Sequence, residues 1–194
     1  MSRIPLHWIA IFLIIVAFVA FWDKSPNDLL DIEPIAESSR FPQAYMTDIA
    51  LREYNPTGTL SNTLATRSAE YFQINPQQMG PQDYTLLEQP RMIFSSESGV
   101  SPWYLTAEQG RINQNGEQVT LLDNVQAQQQ STTQGLIELL TSELHLHTVR
   151  QYAETDKAVK MRAQQGQLDT LGMKAFLSED RIELLSQVRG IYEP

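Results

Sequence analysis

Thr120-Leu121-Leu122-Asp123-Asn124-Val125-Gln126-Ala127 has two near copies in the same chain. Thr85-Leu86-Leu87-Glu88-Gln89-Pro90-Arg91-Met92 precedes it, and Glu183-Leu184-Leu185-Ser186-Gln187-Val188-Arg189-Gly190 follows it. The shared pattern is Leu-Leu, a polar pair with an amide second, then Val or Pro. A second piece also recurs. Thr106-Ala107-Glu108-Gln109-Gly110-Arg111-Ile112 resembles Arg162-Ala163-Gln164-Gln165-Gly166-Gln167-Leu168, and Leu64-Ala65-Thr66-Arg67-Ser68-Ala69-Glu70-Tyr71 is a looser copy. Such repeats imply one strand-pair unit stacked several times, with loops of varying length. Successive side chains of a strand alternate faces, so each copy offers one apolar side. These sides are Tyr84, Leu86 and Pro90; Val119, Leu121, Val125 and Ala127; and Ile182, Leu184 and Val188. Stacking lines them into a long apolar interior, over which two sheets close as a sandwich or jelly roll. Both ends then expose strand edges that must be capped or paired.

The surrounding sequence agrees. From residue 45 onward, Val, Ile, Thr, Tyr and Leu alternate with polar residues in short runs. The runs break at Asn55-Pro56-Thr57-Gly58, Asn75-Pro76, Asn115-Gly116 and Leu171-Gly172, of which Asn115-Gly116 is a good hairpin signal. No segment there holds a long helical period with caps.

Composition narrows the function. The 194 residues carry a net charge of -9 and no cysteine, with 42% hydrophobic and 19% charged residues. That is too apolar for a disordered chain. No basic stripe exists to displace counterions from nucleic acid. Without cysteine there is no disulfide framework, thiol nucleophile or zinc-thiolate site. Charge is uneven. Residues 23–149 hold six basic and sixteen acidic side chains, while 150–194 hold seven of each, so an acidic partner meets less repulsion at the C-terminal end.

The start of the chain reads as a membrane anchor. Between Leu6 and Trp22, eleven of seventeen residues are Leu, Ile, Val or Phe, and no Asp, Glu, Lys or Arg intervenes. A helix from Ile4 to Trp22 rises about 28 Å, roughly one hydrocarbon core. Trp8 and Trp22 lie near its ends, where aromatic rings favour the interface. A cleaved signal is disfavoured by the length of the run and by bulky Phe18 at the -3 position before Ala20. Arg3 precedes the run and acids follow it, which puts the N-terminus in the cytoplasm and the remainder outside. Residues 23–44, with Pro26, Pro34 and Pro42 among acids, read as a spacer.

Catalytic signals are sparse. His145 and His147 share one strand face opposite Leu144 and Leu146, but no motif supplies further metal ligands, so a solvated polar face is preferred. No Gly-rich phosphate loop or GxSxG elbow is present, and nothing asks for a cofactor. Gln126 and Gln128 to Gln130 mark a solvated loop or strand edge. Trp103-Tyr104, after Pro102, fits a core Trp at a strand start better than a ligand platform.

A short cytoplasmic start, one helix, a linker and a repeated β domain resemble the LptC family of lipopolysaccharide-export proteins. The resemblance rests on Tyr54-Asn55-Pro56-Thr57-Gly58, Ala69-Glu70-Tyr71-Phe72 followed by Gln89-Pro90, Pro102-Trp103-Tyr104-Leu105-Thr106-Ala107 with Gly110, and Leu171-Gly172-Met173-Lys174-Ala175, which looks like the family's late hairpin. It departs after the acidic turn Glu154-Thr155-Asp156, where Met161-Arg162-Ala163 replaces a glycine. The resemblance implies an all-β, twisted, open β-jelly roll of antiparallel strand pairs over 45–194, preceded by one transmembrane helix within 1–22 and the linker 23–44. It also implies a periplasmic carrier that receives lipopolysaccharide from an ABC transporter of LptB, LptF and LptG and hands it to LptA. The expected groove residues are Trp103, Leu105, Leu121, Val125, Leu144, Leu146, Met173, Ile182, Leu184 and Val188. The expected docking edge is Ile182, Leu184, Val188 and Ile191. The alternatives are a bitopic scaffold that docks proteins without binding lipid, and an anchored envelope hydrolase for which the sequence names no site.

Overall fold

The computed structural model describes residues 41–192 except 76, 96–100, 114, 132–134, 178 and 180, all within the compact unit Ser38–Pro194. The expected span between Leu6 and Trp22 and most of the expected linker lie outside the described residues. The strands are β1 (Ala44–Tyr54), β2 (Leu60–Phe72), β3 (Tyr84–Glu88), β4 (Arg91–Phe94), β5 (Trp103–Thr106), β6 (Gln109–Asn113), β7 (Gln118–Ser131), β8 (Gly135–His147), β9 (Tyr152–Ala163), β10 (Gly166–Phe176) and β11 (Arg181–Tyr192). They form one eleven-stranded antiparallel sheet, and no helix occurs among the described residues. The turn signals at Asn55-Pro56-Thr57-Gly58 and Asn115-Gly116 join β1 to β2 and β6 to β7, with Gly58 and Gly116 at positive φ.

Two pairs of strands are halves of single courses. β2 pairs with β3 and β4 in one unbroken register, from Phe72 opposite Tyr84 to Asn62 opposite Phe94. β3–β6 and β4–β5 share another, from Tyr84 opposite Asn113 to Phe94 opposite Trp103. The domain is thus a meander of nine courses in chain order, with β1 and β11 at the edges.

Each course bends midway, and the bends line up as a crease. Register slips fall side by side at Leu122/Val125, Leu140/His145, Leu171/Met173 and Asp169/Leu171. The residues turned left-handed there include Asp48 (φ +50°), Gln89 (+51°), Asn124 (+48°) and Gln187 (+52°). Gln89, Asn124 and Gln187 are the amide of the repeated motif in its three copies, so the repeat marks the bend. Threonines sit on alternate courses between them. Thr66 Oγ1 donates to the Ser68 and Glu88 carbonyls, Thr141 Oγ1 to Glu143, and Thr170 Oγ1 to Gly172 and Ser186. They satisfy carbonyls that the bend removes from the ladder.

One creased sheet therefore does the work expected of two. Its first wall holds β3, β6 and the matching halves of the long strands; its second wall holds β4, β5 and the other halves. Facing inward from the first wall are Ala69, Leu87, Leu121, Leu144, Leu146 and Met173, and from the second Leu64, Met92, Leu105, Val125, Leu139 and Val159. Burying each of the Leu, Val and Met side chains among them contributes about 1.5–3 kcal/mol. Gly110 lies in the first wall because an added Cβ would meet Pro90 Cγ at 3.1 Å and Leu87 Cδ1 at 3.3 Å.

Several expectations are corrected. Leu87 faces the core, while Leu86 is exposed and Tyr84 stacks on Phe72, with ring centroids 5.1 Å apart. Leu171-Gly172 lies inside β10 and Glu154-Thr155-Asp156 inside β9; both are points on the crease, not a hairpin and a turn. Gln128 to Gln130 belong to β7, and Gln129 is buried.

Candidate functional site

The space between the walls holds the hydrophobic core cluster of the domain. Trp103, Leu105, Leu121, Val125, Leu144, Leu146 and Met173 are all buried in it, Leu121 completely. Ile182 and Leu184 pack against the same cluster but are only half-buried, because β11 is an edge strand. Val188 and Ile191 are exposed on that edge. From β2 to β10 the middle is filled by side chains.

The interior opens at both ends. At the N-terminal end, Leu51, Asn62, Leu64 and Met92 of the second wall and Ile112 and Val119 of the first enclose about 110 Å³. At the C-terminal end, Met161, Ala163, Gly166, Leu168, Gly190 and Ile191 line a cleft of about 450 Å³. Sequence reasoning named none of Leu51, Met92, Ile112, Met161 and Leu168 as lining. Ile112 and Leu168 close the two clearer copies of the second repeated piece, a signal that could have found them.

Polar groups enter this interior on the second wall. Asn62 Nδ2 donates to Glu53 Oε2 at 2.9 Å, and Gln129 Nε2 donates to the Ser101 carbonyl at 3.0 Å. Polar clusters lie on the outer faces, beside exposed apolar side chains such as Leu86 and Leu171. Gln126, Gln128 and Arg162 converge on Glu138 at 2.5, 3.1 and 3.2 Å, and the two amides, then the guanidinium, hold its carboxyl below the usual range. His145 contacts Thr120 and Glu143, and His147 contacts Glu154, opposite the core leucines Leu144 and Leu146. Among the described residues, no three His, Cys, Asp or Glu side chains converge to hold a metal ion. Tyr152 donates to Glu154 at 2.7 Å; burial first, then that carboxylate, pushes its hydroxyl pKa up to about 12. What the arrangement offers is an apolar interior flanked by edge strands.

A family profile described as Lipopolysaccharide-assembly, LptC-related matches residues 8–193, from the expected anchor to the end of β11. The chain belongs to this LptC-related family. It is therefore a periplasmic component of lipopolysaccharide transport, and the family is one of transport components rather than enzymes. Among solved structures, the chain is similar to LptH of Pseudomonas aeruginosa, described as the LptA homologous periplasmic component of the lipopolysaccharide transport device. That likeness has a TM-score of 0.46 and 10% identity, and it covers 81% of this chain and 99% of that one. No curated protein matches the chain. No helix among the described residues is long and apolar enough to cross a membrane.

Proposed function

We propose that this LptC-related chain is an inner-membrane-anchored carrier that receives lipopolysaccharide from the LptB/LptF/LptG transporter and passes it to LptA. Residues 1–22 supply the anchor with its N-terminus in the cytoplasm, 23–44 the spacer, and 45–194 the periplasmic carrier. The observation that supports this reading is the inward apolar surface, which crosses every course of the meander and opens at both edge strands. Each CH₂ of an acyl chain gains about 0.8 kcal/mol on leaving water, so several chains need such a cover throughout their passage. The sugars and phosphates stay outside, where no large basic pocket is required. Opening proceeds by parting the walls about the crease, which exposes Trp103, Leu105, Leu121, Val125, Leu144, Leu146 and Met173 as lining. Ile182, Leu184, Val188 and Ile191 mark β11 as the edge that pairs with LptA by strand addition.

The filled middle favours a second reading, docking without lipid. Two substitutions in β10 separate the two. Leu168 pairs with Met161 and lines the C-terminal cleft, whereas Leu171 is exposed on the outer face. Leu168→Arg puts a charge where acyl chains enter and should lower lipopolysaccharide bound per folded molecule by tenfold or more, a loss of about 1.4 kcal/mol or greater. Leu171→Arg should change it less than twofold, or under about 0.4 kcal/mol. Equal binding by the two folded variants contradicts the groove.

A further inference from the structure

Glu53, Asn62, Phe94, Trp103, Gln129 and Ile137 are successive cross-strand partners, so they form one row along the second wall. Directly opposite residues share a face, and the row faces inward. Every member except Glu53 is buried. Two members are amides, and each has its nitrogen committed: Asn62 Nδ2 to the Glu53 carboxylate and Gln129 Nε2 to the Ser101 carbonyl. These bonds fix the orientation of both amides, because only nitrogen can donate to those acceptors. The remaining atoms, Asn62 Oδ1 and Gln129 Oε1, are buried without a hydrogen-bond donor among the described residues. A buried acceptor left unpaired costs free energy that Leu or Met at the same place would avoid. Asn62 also lines the N-terminal cavity between the walls.

We infer that Asn62 Oδ1 and Gln129 Oε1 are acceptor sites for hydroxyl or amide N–H donors borne on the apolar chains of the lipid. The inference rests on the groove reading above and adds to it the two atoms that would recognise polar groups on the chains. Both sites offer only a lone pair, so carboxylate and phosphate oxygens cannot satisfy them, and the Glu53 carboxylate repels anions beside Asn62. Phe94, Trp103 and Ile137 make the remainder of the row apolar, so the donor must sit on an otherwise hydrocarbon chain. A 3-hydroxyacyl chain, or one joined to its sugar through an amide, has this character. Three inter-strand steps separate the two amides, about 14 Å, so they engage different donors of a multi-chain amphiphile.

The test uses the full chain held in amphipol and two uncharged tritiated probes, methyl 3-hydroxymyristate and methyl myristate. The native sequence should bind the hydroxylated ester about fivefold more tightly, the range of one hydrogen bond made in an apolar site. The double variant Asn62→Leu, Gln129→Met, checked for cooperative thermal unfolding, should lose that preference while binding methyl myristate at least as well. Equal affinity of the native chain for the two esters overturns the inference and leaves the groove intact; that comparison needs no variant to fold. A preference that survives in the folded double variant also overturns it. Binding of neither ester by the native chain overturns the groove reading, and the inference with it.

Discussion

Thr170 shows how one hydroxyl holds a bend. Its Oγ1 donates to the Ser186 carbonyl at 2.9 Å and to the Gly172 carbonyl at 3.3 Å, and the residue is buried. Gly172 beside it sits at φ +81°, where an added Cβ would meet Leu185 Cδ1 at 3.0 Å. Thr170→Val keeps the shape and removes the donor, so unfolding in urea should show a loss of about 1–3 kcal/mol. A loss below about 0.5 kcal/mol, the lower bound for a net hydrogen bond, contradicts a role in holding the crease. Asp83 works similarly in the loop between β2 and β3. It accepts from Gly80 N at 2.9 Å, Ile74 N at 2.8 Å and the Tyr71 hydroxyl at 3.0 Å. The two backbone donors chiefly hold its carboxyl below the usual range, against an opposing effect of burial. A folded-state pKa below the unfolded one stabilises above the ordinary carboxylate value of about 3.9 and is lost as pH falls through the folded value. Asp83→Asn should therefore flatten the fall in stability below about pH 4 in acid titrations followed by circular dichroism. An unchanged acid limb contradicts the assignment.

At the scale of the element, the Leu-Leu motif was legible and its phase only partly so. In β7 the inward positions Leu121 and Val125 are four apart, because the pairing gives β7 one residue more than either neighbour at the crease. Strict alternation survives that spacing, which is why Val119, Leu121, Val125 and Ala127 were read correctly as one face. In the course made of β3 and β4 the register is unbroken, and the inward residues Leu87 and Pro90 are three apart. The phase flips there, so period-two reading chose Leu86 instead. β8 flips likewise, with Ile137 and Leu139 inward on one side of the crease and Leu144 and Leu146 on the other. Nothing local in the sequence distinguishes an inserted residue from an unbroken register; pairing with neighbours decides it. The threonines of the crease were missed for the same reason, since Thr66, Thr141 and Thr170 align only once the strands pair. β11 carries the element-scale prediction. Its outer edge has no partner strand among the described residues, and deleting residues 181–194 removes that edge. LptA capture in pull-downs should then be lost while LptB/LptF/LptG binding survives. Retained LptA capture contradicts docking through β11.

At the scale of the whole domain, a meander of antiparallel courses creased along one line makes two walls from one sheet. Such a design has no closing seam between β1 and β11, so both edge strands keep an outer edge without a partner strand among the described residues. All-β class, stacked strands and an apolar interior were evident from alternation and repeats; the single folded sheet and its closed middle were not, because both depend on where the bends fall. The central claim is that lipopolysaccharide passes between the walls. Met161 and Arg162 test it most directly, being neighbours in β9 with Met161 in the C-terminal cleft and Arg162 on the outer face against Glu138. A photoreactive residue is placed at each position in transporter proteoliposomes supplied with ATP. The account predicts an ATP-dependent lipopolysaccharide adduct at Met161 and none at Arg162. Adducts at both positions alike, or at neither in a folded and assembled complex, would contradict it.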